Sequence, residues 1–215
     1  MWVGYEGKTS APAPKIREGS KEEVCLGSFN SLGKLTAETL ALWAKVLHAL
    51  PDARLLLKAK ELADAVARDR ILLSLLGHGV ASDRIELHDW RATPDWSSNM
   101  AFYDRLDIAL DPIGSISGGT TTCDSLWMAV PVVTLLGNRM GSRMTASMLM
   151  AIGRAEWIAH TENEYVLKVV SLARNKTLRD AIRLSLRDEV TMTALFDVRD
   201  LTAKLEQTFF SMYAR

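Results

Sequence analysis

From Val24 onward, short β-branched runs alternate with longer segments of helical period, and that alternation confines the chain to few architectures. Strand and helix in strict turn build a parallel sheet with helices on both faces. Strands are expected near residues 24–28, 54–58, 84–88, 107–110, 132–135 and 156–159. Between the first two, Thr36 is placed to cap a helix whose Leu40, Trp43, Ala44 and Leu47 recur at i, i+3, i+4, i+7. Ser142 is placed to cap a helix carrying Met144, Met148 and Met150, a cluster read as adaptable core packing. Thr161 and Glu164 fit a capping box, and from about residue 162 to the end only helices are expected. Their Arg174, Arg179, Arg183 and Arg187, interspersed with acids, read as a solvated face.

With 215 residues, 48% of them hydrophobic, the chain can bury a substantial core and suits one large domain. Residues 23–215 are assigned to that α/β domain. Residues 1–22, rich in Gly, Pro, Ala and Lys, read as an extended arm or interdomain linker. Twenty-six basic and 26 acidic residues cancel, which removes the bulk electrostatic argument for nucleic acid or an anionic membrane as partner. No apolar run approaches the ~18 residues needed to cross a bilayer, and the first residues do not resemble a signal peptide. Only Cys25 and Cys123 are present, and the four histidines are scattered, so neither a disulfide framework nor a metal site is expected. A reducing, cytoplasmic setting is the expectation.

The most informative stretch runs from Ser117 through Gly118, Gly119, Thr120, Thr121, Thr122 and Cys123 to Asp124, where a loop leaving the carboxyl end of a strand becomes a helix. Glycines let the backbone approach a ligand, and the uncovered N–H groups of a helix start favour an anion. Hydroxyls on Thr120, Thr121 and Thr122 add donors, while Asp124 in the first turn can accept from ribose hydroxyls. The plain alternative is a capped turn, since Thr is a common N-cap and Asp is favoured in a first turn for structural reasons.

A second loop, Gly27, Ser28, Phe29, Asn30, Ser31, Leu32, Gly33, Lys34, also follows a strand's carboxyl end. Lys34 can neutralise a phosphate, and Asn30 or Ser31 can hydrogen-bond a phosphate or ribose oxygen. Both loops open on one edge of the sheet, where open α/β folds bind ligands. Arg143 can balance diphosphate charge or lie on the surface. Asp107 and Asp111 flank the fourth strand, where aspartates commonly end pairing or cap a turn. The sequence holds no recognisable Ser-His-acid set or paired-carboxylate site.

Taken together, the first loop with Lys34, then Leu110, Asp111 and Pro112, then the run from Gly119 to Leu135 resemble the C-terminal half of the catalytic region of glycosyltransferase family 41, the protein O-linked N-acetylglucosamine transferases and SPINDLY-like proteins. Ser142, Arg143, Ser147, Tyr165, Leu205, Glu206 and Met212 add to the match. The resemblance covers the chain from about Val24 to its end. It implies the Rossmann-like donor-binding domain of a GT-B enzyme and inverting, metal-independent transfer of N-acetylglucosamine from UDP-N-acetylglucosamine to Ser or Thr hydroxyls. No cofactor is implied beyond the nucleotide-sugar substrate.

Carried onto this sequence, Lys34 stabilises the leaving nucleotide, and Asn30 and Ser31 lie beside the diphosphate and sugar. Thr120, Thr121 and Gly119 meet phosphate, Asp124 holds the ribose, and Asn99 and Arg143 complete the donor contacts. Asn99 stands where the family usually has histidine, a nearby basic residue is missing around Trp96, and Ser115, Ile116, Ser117 and Gly118 replace a Pro-Tyr-Asn-Gly-like approach. The family's N-terminal Rossmann-like half and helical repeats are expected as partners, in the same parent chain or in trans. The alternative is a nucleotide-sugar-binding or protein-interaction module without turnover; a general α/β scaffold that binds no ligand is a third reading.

Overall fold

The computed structural model describes residues 11–17 and 23–213. Six strands form one parallel sheet: β1 (Cys25–Ser28), β2 (Arg54–Lys58), β3 (Ile85–His88), β4 (Ile108–Leu110), β5 (Val132–Leu135) and β6 (Ile158–Ala159), in the order β3-β2-β1-β4-β5-β6. Every pairing is parallel, with Leu26 opposite both Leu55 and Ile108 at the centre. The strand order reverses between β1 and β4, the switch point at which ligand crevices open in such sheets.

The helices are α1 (Ala37–Ala49), α2 (Ala65–Gly77), α3 (Trp96–Ala101), α4 (Thr120–Trp127), α5 (Met144–Ala151), α6 (Glu162–Arg174), α7 (Lys176–Thr191) and α8 (Val198–Tyr213). With the right-handed crossovers usual in parallel sheets, this strand order puts α1 and α2 on one face and α4 on the other. Helix α6 packs beside α1, and α7 packs on α4 and α6. The central strands are covered on both sides and carry apolar residues in their interior: Leu26, Leu55, Leu56, Ile108 and Val133 have no accessible surface.

Thr36 caps α1 as expected, its Oγ1 accepting from the Thr39 amide at 3.2 Å. Leu40, Trp43, Ala44 and Leu47 are all buried. Tertiary contacts alter four other local expectations. Ser142 does not cap the methionine helix; its Oγ instead accepts from the Arg139 amide and donates to the Arg139 carbonyl, inside a 3-10 turn (Gly141–Arg143) that precedes α5. Only half of the Thr161 capping box forms. Thr161 Oγ1 accepts from Glu164 N at 3.1 Å, but the Glu164 carboxylate turns to the His160 amide.

The arginine row of α7 is not a solvated face. Arg183 is buried and donates to the carbonyls of Met128 and Leu106, while buried Arg179 donates to those of Leu172 and Ala173. Arg187 reaches the Trp127 carbonyl at 2.6 Å and lies over the Trp127 ring. These guanidiniums donate to carbonyls near helix and strand ends, where the regular ladders leave acceptor capacity over. The methionines also divide: Met148 is core, whereas Met150 is 62% exposed beside an open groove.

Residues 11–17 have no regular secondary structure and are held at the amino end of β4, where Lys15 N donates to Asp104 and Arg17 pairs with Asp107 at 2.9 Å. The rest of the expected arm, residues 1–10 and 18–22, lies outside the described residues.

Candidate nucleotide-sugar site

The two loops singled out in the sequence meet at the carboxyl edge of the sheet. Gly119 is the residue before α4; its φ of 121° lies in the region that favours glycine, and no side chain caps the helix. None of the three threonines acts as the N-cap. The start of α4 therefore presents backbone N–H groups and the positive dipole end without an internal side-chain acceptor. Thr120 is exposed and Thr121 half-buried at this end. Thr122 points elsewhere, its buried hydroxyl bonded to that of Thr145 at 3.0 Å. Gly118 is required by space: a Cβ there would lie 1.8 Å from Thr122 Oγ1 and 2.6 Å from Thr145 Oγ1.

Lys34 reaches this loop from a 3-10 turn (Leu32–Lys34) after β1. Its ammonium donates to Asn30 Oδ1 at 3.3 Å, to the Ser117 carbonyl at 3.1 Å and to the Gly118 carbonyl. A Cβ on Gly119 would lie 3.9 Å from Lys34 Nζ. Partial burial holds the Lys34 pKa below its ordinary value, against the opposing influence of Asp111. Asn30 is buried and braced by Ser28 Oγ at 3.2 Å, whereas Ser31 is exposed beside it.

A cleft of about 420 Å³ adjoins Thr121, lined by Asp124, Asn99, Lys58, Phe29, Trp90 and Trp96 among others. Asn99 and Asp124, 25 residues apart in sequence, thus share one wall. Sequence reasoning missed Lys58, the last residue of β2. Its ammonium lies 2.5 Å from Asn99 Oδ1 and over the rings of Phe29 and Phe102 at 5.5 and 5.6 Å. Burial lowers the Lys58 pKa and Asp124 opposes that. A cation thus lines the same cleft as Trp96, supplied from β2. A lysine closing a buried strand at its carboxyl end was the available signal.

Arg143 is not brought to this cleft. It opens on a neighbouring apolar groove with Met140, Met144, Met150 and His160, and Met144 separates that groove from Gly119. A cavity of about 840 Å³ lies at the opposite, amino end of the sheet among Arg17, Glu23, Arg54 and Glu86. Among the described residues no three His, Cys, Asp or Glu side chains gather as a metal ion would require. No helix among the described residues is long and apolar enough to cross a membrane.

A parallel sheet with a glycine-started helix, a loop lysine and an acid-lined cleft at its switch point defines a Rossmann-like lobe of the GT-B glycosyltransferase type. The model of glycosyl transferase family 41 matches residues 18–205, and the chain belongs to that family. It is 35% identical over 212 residues to the SPINDLY protein of Petunia hybrida and 33% identical over 211 residues to that of Arabidopsis thaliana, each named a probable UDP-N-acetylglucosamine–peptide N-acetylglucosaminyltransferase. Both alignments take in 95% of this chain, which spans only 21% and 22% of those relatives. A variant of the Thermobaculum terrenum O-GlcNAc transferase superposes with a TM-score of 0.81 at 36% identity, covering 95% of this chain and 39% of that one. Sucrose-phosphate synthase of Thermosynechococcus elongatus, at 13% identity and a TM-score of 0.60, shares the fold.

Proposed function

We propose that this chain is the donor-binding domain of a protein O-glycosyltransferase that takes N-acetylglucosamine from UDP-N-acetylglucosamine and works with an N-terminal GT-B half, with or without helical repeats. The observation that carries the reading is the meeting of Lys34 with the Gly118–Gly119 turn at the start of α4, one wall away from a cleft holding Asp124 and Asn99. The diphosphate would lie at the helix start, within reach of the Lys34 ammonium, and the ribose beside Asp124. In the transfer, an acceptor Ser or Thr oxygen bonds to the anomeric carbon with inversion while the bond to the diphosphate breaks. The diphosphate leaves with the electron pair, and the hydroxyl proton passes to a base or solvent on the acceptor side. Lys34 opposes the charge that grows on the leaving oxygen, the kind of stabilisation on which such reactions depend most. We place the reaction in the cytoplasm, a reading that the two buried free thiols support.

Calorimetric titration with UDP, GDP and UDP-N-acetylglucosamine, beside Thr121→Ala and Asp124→Ala, tests the donor site. Saturable UDP binding weakened by both substitutions is expected; no binding of any nucleotide overturns it. A second reading, a nucleotide-sugar-binding module without turnover, is favoured by the three acceptors that already engage the three hydrogens of the Lys34 ammonium. It predicts nucleotide affinity but no transfer after an N-terminal half is supplied.

A further inference from the structure

Behind the helix start lies a carboxylate that meets only a small cavity of about 10 Å³. Asp111 follows β4 and is 1% exposed. Its Oδ1 accepts from the Gly118 amide at 2.7 Å and its Oδ2 from Thr134 Oγ1, on β5, at 2.6 Å. Its own amide bonds to Val133 O, and its carbonyl accepts from Tyr165 Oη at 3.3 Å, which in turn accepts from Trp43 Nε1 at 3.3 Å. Asp111 is thus tied to β5, to α6 and through α6 to α1. The Gly118 peptide is gripped at both ends: Asp111 holds its N–H, and Lys34 holds its C=O.

We propose that Asp111 is a positioning residue for the donor diphosphate, acting through the Gly118 peptide that it anchors and that Lys34 clasps from the other side. The inference rests on the donor-site reading and assigns a role to a residue that touches no substrate. A turn with a φ of 121° at Gly119 leaves the direction of the next N–H groups to whatever fixes the preceding peptide. Here that is a carboxylate braced by Thr134 of β5, on a residue whose backbone is tied to β5 and α6, so the anion-binding groups are set before the ligand arrives, as preorganised stabilisation requires. The charged or titratable groups facing Asp111 are Lys34, from the turn after β1, and Tyr165, from α6; Thr134 and Thr145 contribute hydroxyls. Burial raises its pKa to about 6, so its proton can be followed in an accessible range.

Two measurements on the 215-residue chain test the role. In amide NMR spectra, the Gly118 resonance is expected to titrate with a midpoint near 6, to lose that titration in Asp111→Asn, and to show a higher midpoint in Thr134→Val, which removes a donor to the ionised form. In UDP and GDP titrations, Asp111→Ala is expected to weaken binding by at least about tenfold, the scale of a lost charged hydrogen bond, with Asn recovering most of the loss because it still accepts from the Gly118 amide. Should the alanine variant not fold, the Asn and Thr134→Val titrations decide. A Gly118 amide indifferent to pH, or nucleotide binding untouched in Asp111→Ala, overturns the positioning role alone. Absence of nucleotide binding by the unsubstituted chain overturns the donor-site reading, and the role with it.

Discussion

The Lys58 ammonium sits 2.5 Å from the Asn99 amide oxygen, tying the carboxyl end of β2 to α3 across 41 residues. The pair lines the cleft that also holds Asp124, whose charge favours the protonated lysine. Replacing Lys58 with Met keeps an unbranched apolar stem but removes the ammonium that lies over Phe29 and Phe102 and that Asp124 faces. Nucleotide affinity should fall by about tenfold, with a shallower salt dependence, in calorimetric titrations at two ionic strengths. Unchanged affinity would remove Lys58 from the site.

Lys34→Ala, placed in a complete catalytic unit, should reduce transfer by about 10² to 10³ in kcat, the range seen when a charge-stabilising donor is removed. Full retained transfer would falsify the leaving-group role.

Gly118→Ala should be destabilising and should abolish nucleotide binding, because the new methyl collides with Thr122 and Thr145. A thermal denaturation scan should report about 1–3 kcal/mol lost, the usual cost of overpacking. Thr145→Ala relieves one clash only, so the double variant should recover part of the loss and not all.

Arg183→Met strips donors from the buried carbonyls of Met128 and Leu106. Chemical denaturation should show a loss of about 2–3 kcal/mol that added salt does not change, since the contact is buried. A surface arginine would cost less than about 0.5 kcal/mol, so the measurement separates the observed seat of Arg183 from the exposed row expected by its spacing.

The pH dependence of stability carries the mark of Asp111. Its folded pKa is raised to about 6 from the ordinary 3.8, so between those values the folded chain keeps a proton that the unfolded chain has released. Stability from this group is present at low pH and lost as pH rises through 6. Relative to Asp111→Asn, the unsubstituted protein should lose about 3 kcal/mol between about pH 3.5 and about pH 6.5. Paired urea titrations across that range check the sign; a difference independent of pH would show that the carboxyl is not buried in this way.

Much of this was legible in the chain. β2 and β5 run over the residues expected, because β-branched and leucine runs buried on both faces have no other stable place. The last strand shrank from four residues to two, since residues 155–157 turn as a 3-10 segment to seat Trp157 in the core. The two glycine-bearing loops were legible for a local reason: glycine where backbone packs closely, and polar residues just beyond a strand's end.

Lys58 and Asp111 could not be assigned from the sequence because their roles are made by neighbours. One is a strand-end lysine whose partners, Asn99, Phe29 and Phe102, come from three other segments; the other is a strand-end aspartate whose donors lie 7 and 23 residues away. The arginines of α7 teach the converse. Their spacing suits a solvated face, yet exposed helix and strand ends in the core needed donors, and the long guanidinium stems reached them. By itself the sequence determined the alternation of strand and helix, the parallel sheet and the loops at its carboxyl edge, because hydrophobic period and backbone freedom are local properties. Which cation faces Asn99, which carboxylate fixes Gly118 and which arginines are buried were decided only in the tertiary structure, where desolvation obliges each buried polar group to find a partner from elsewhere in the chain.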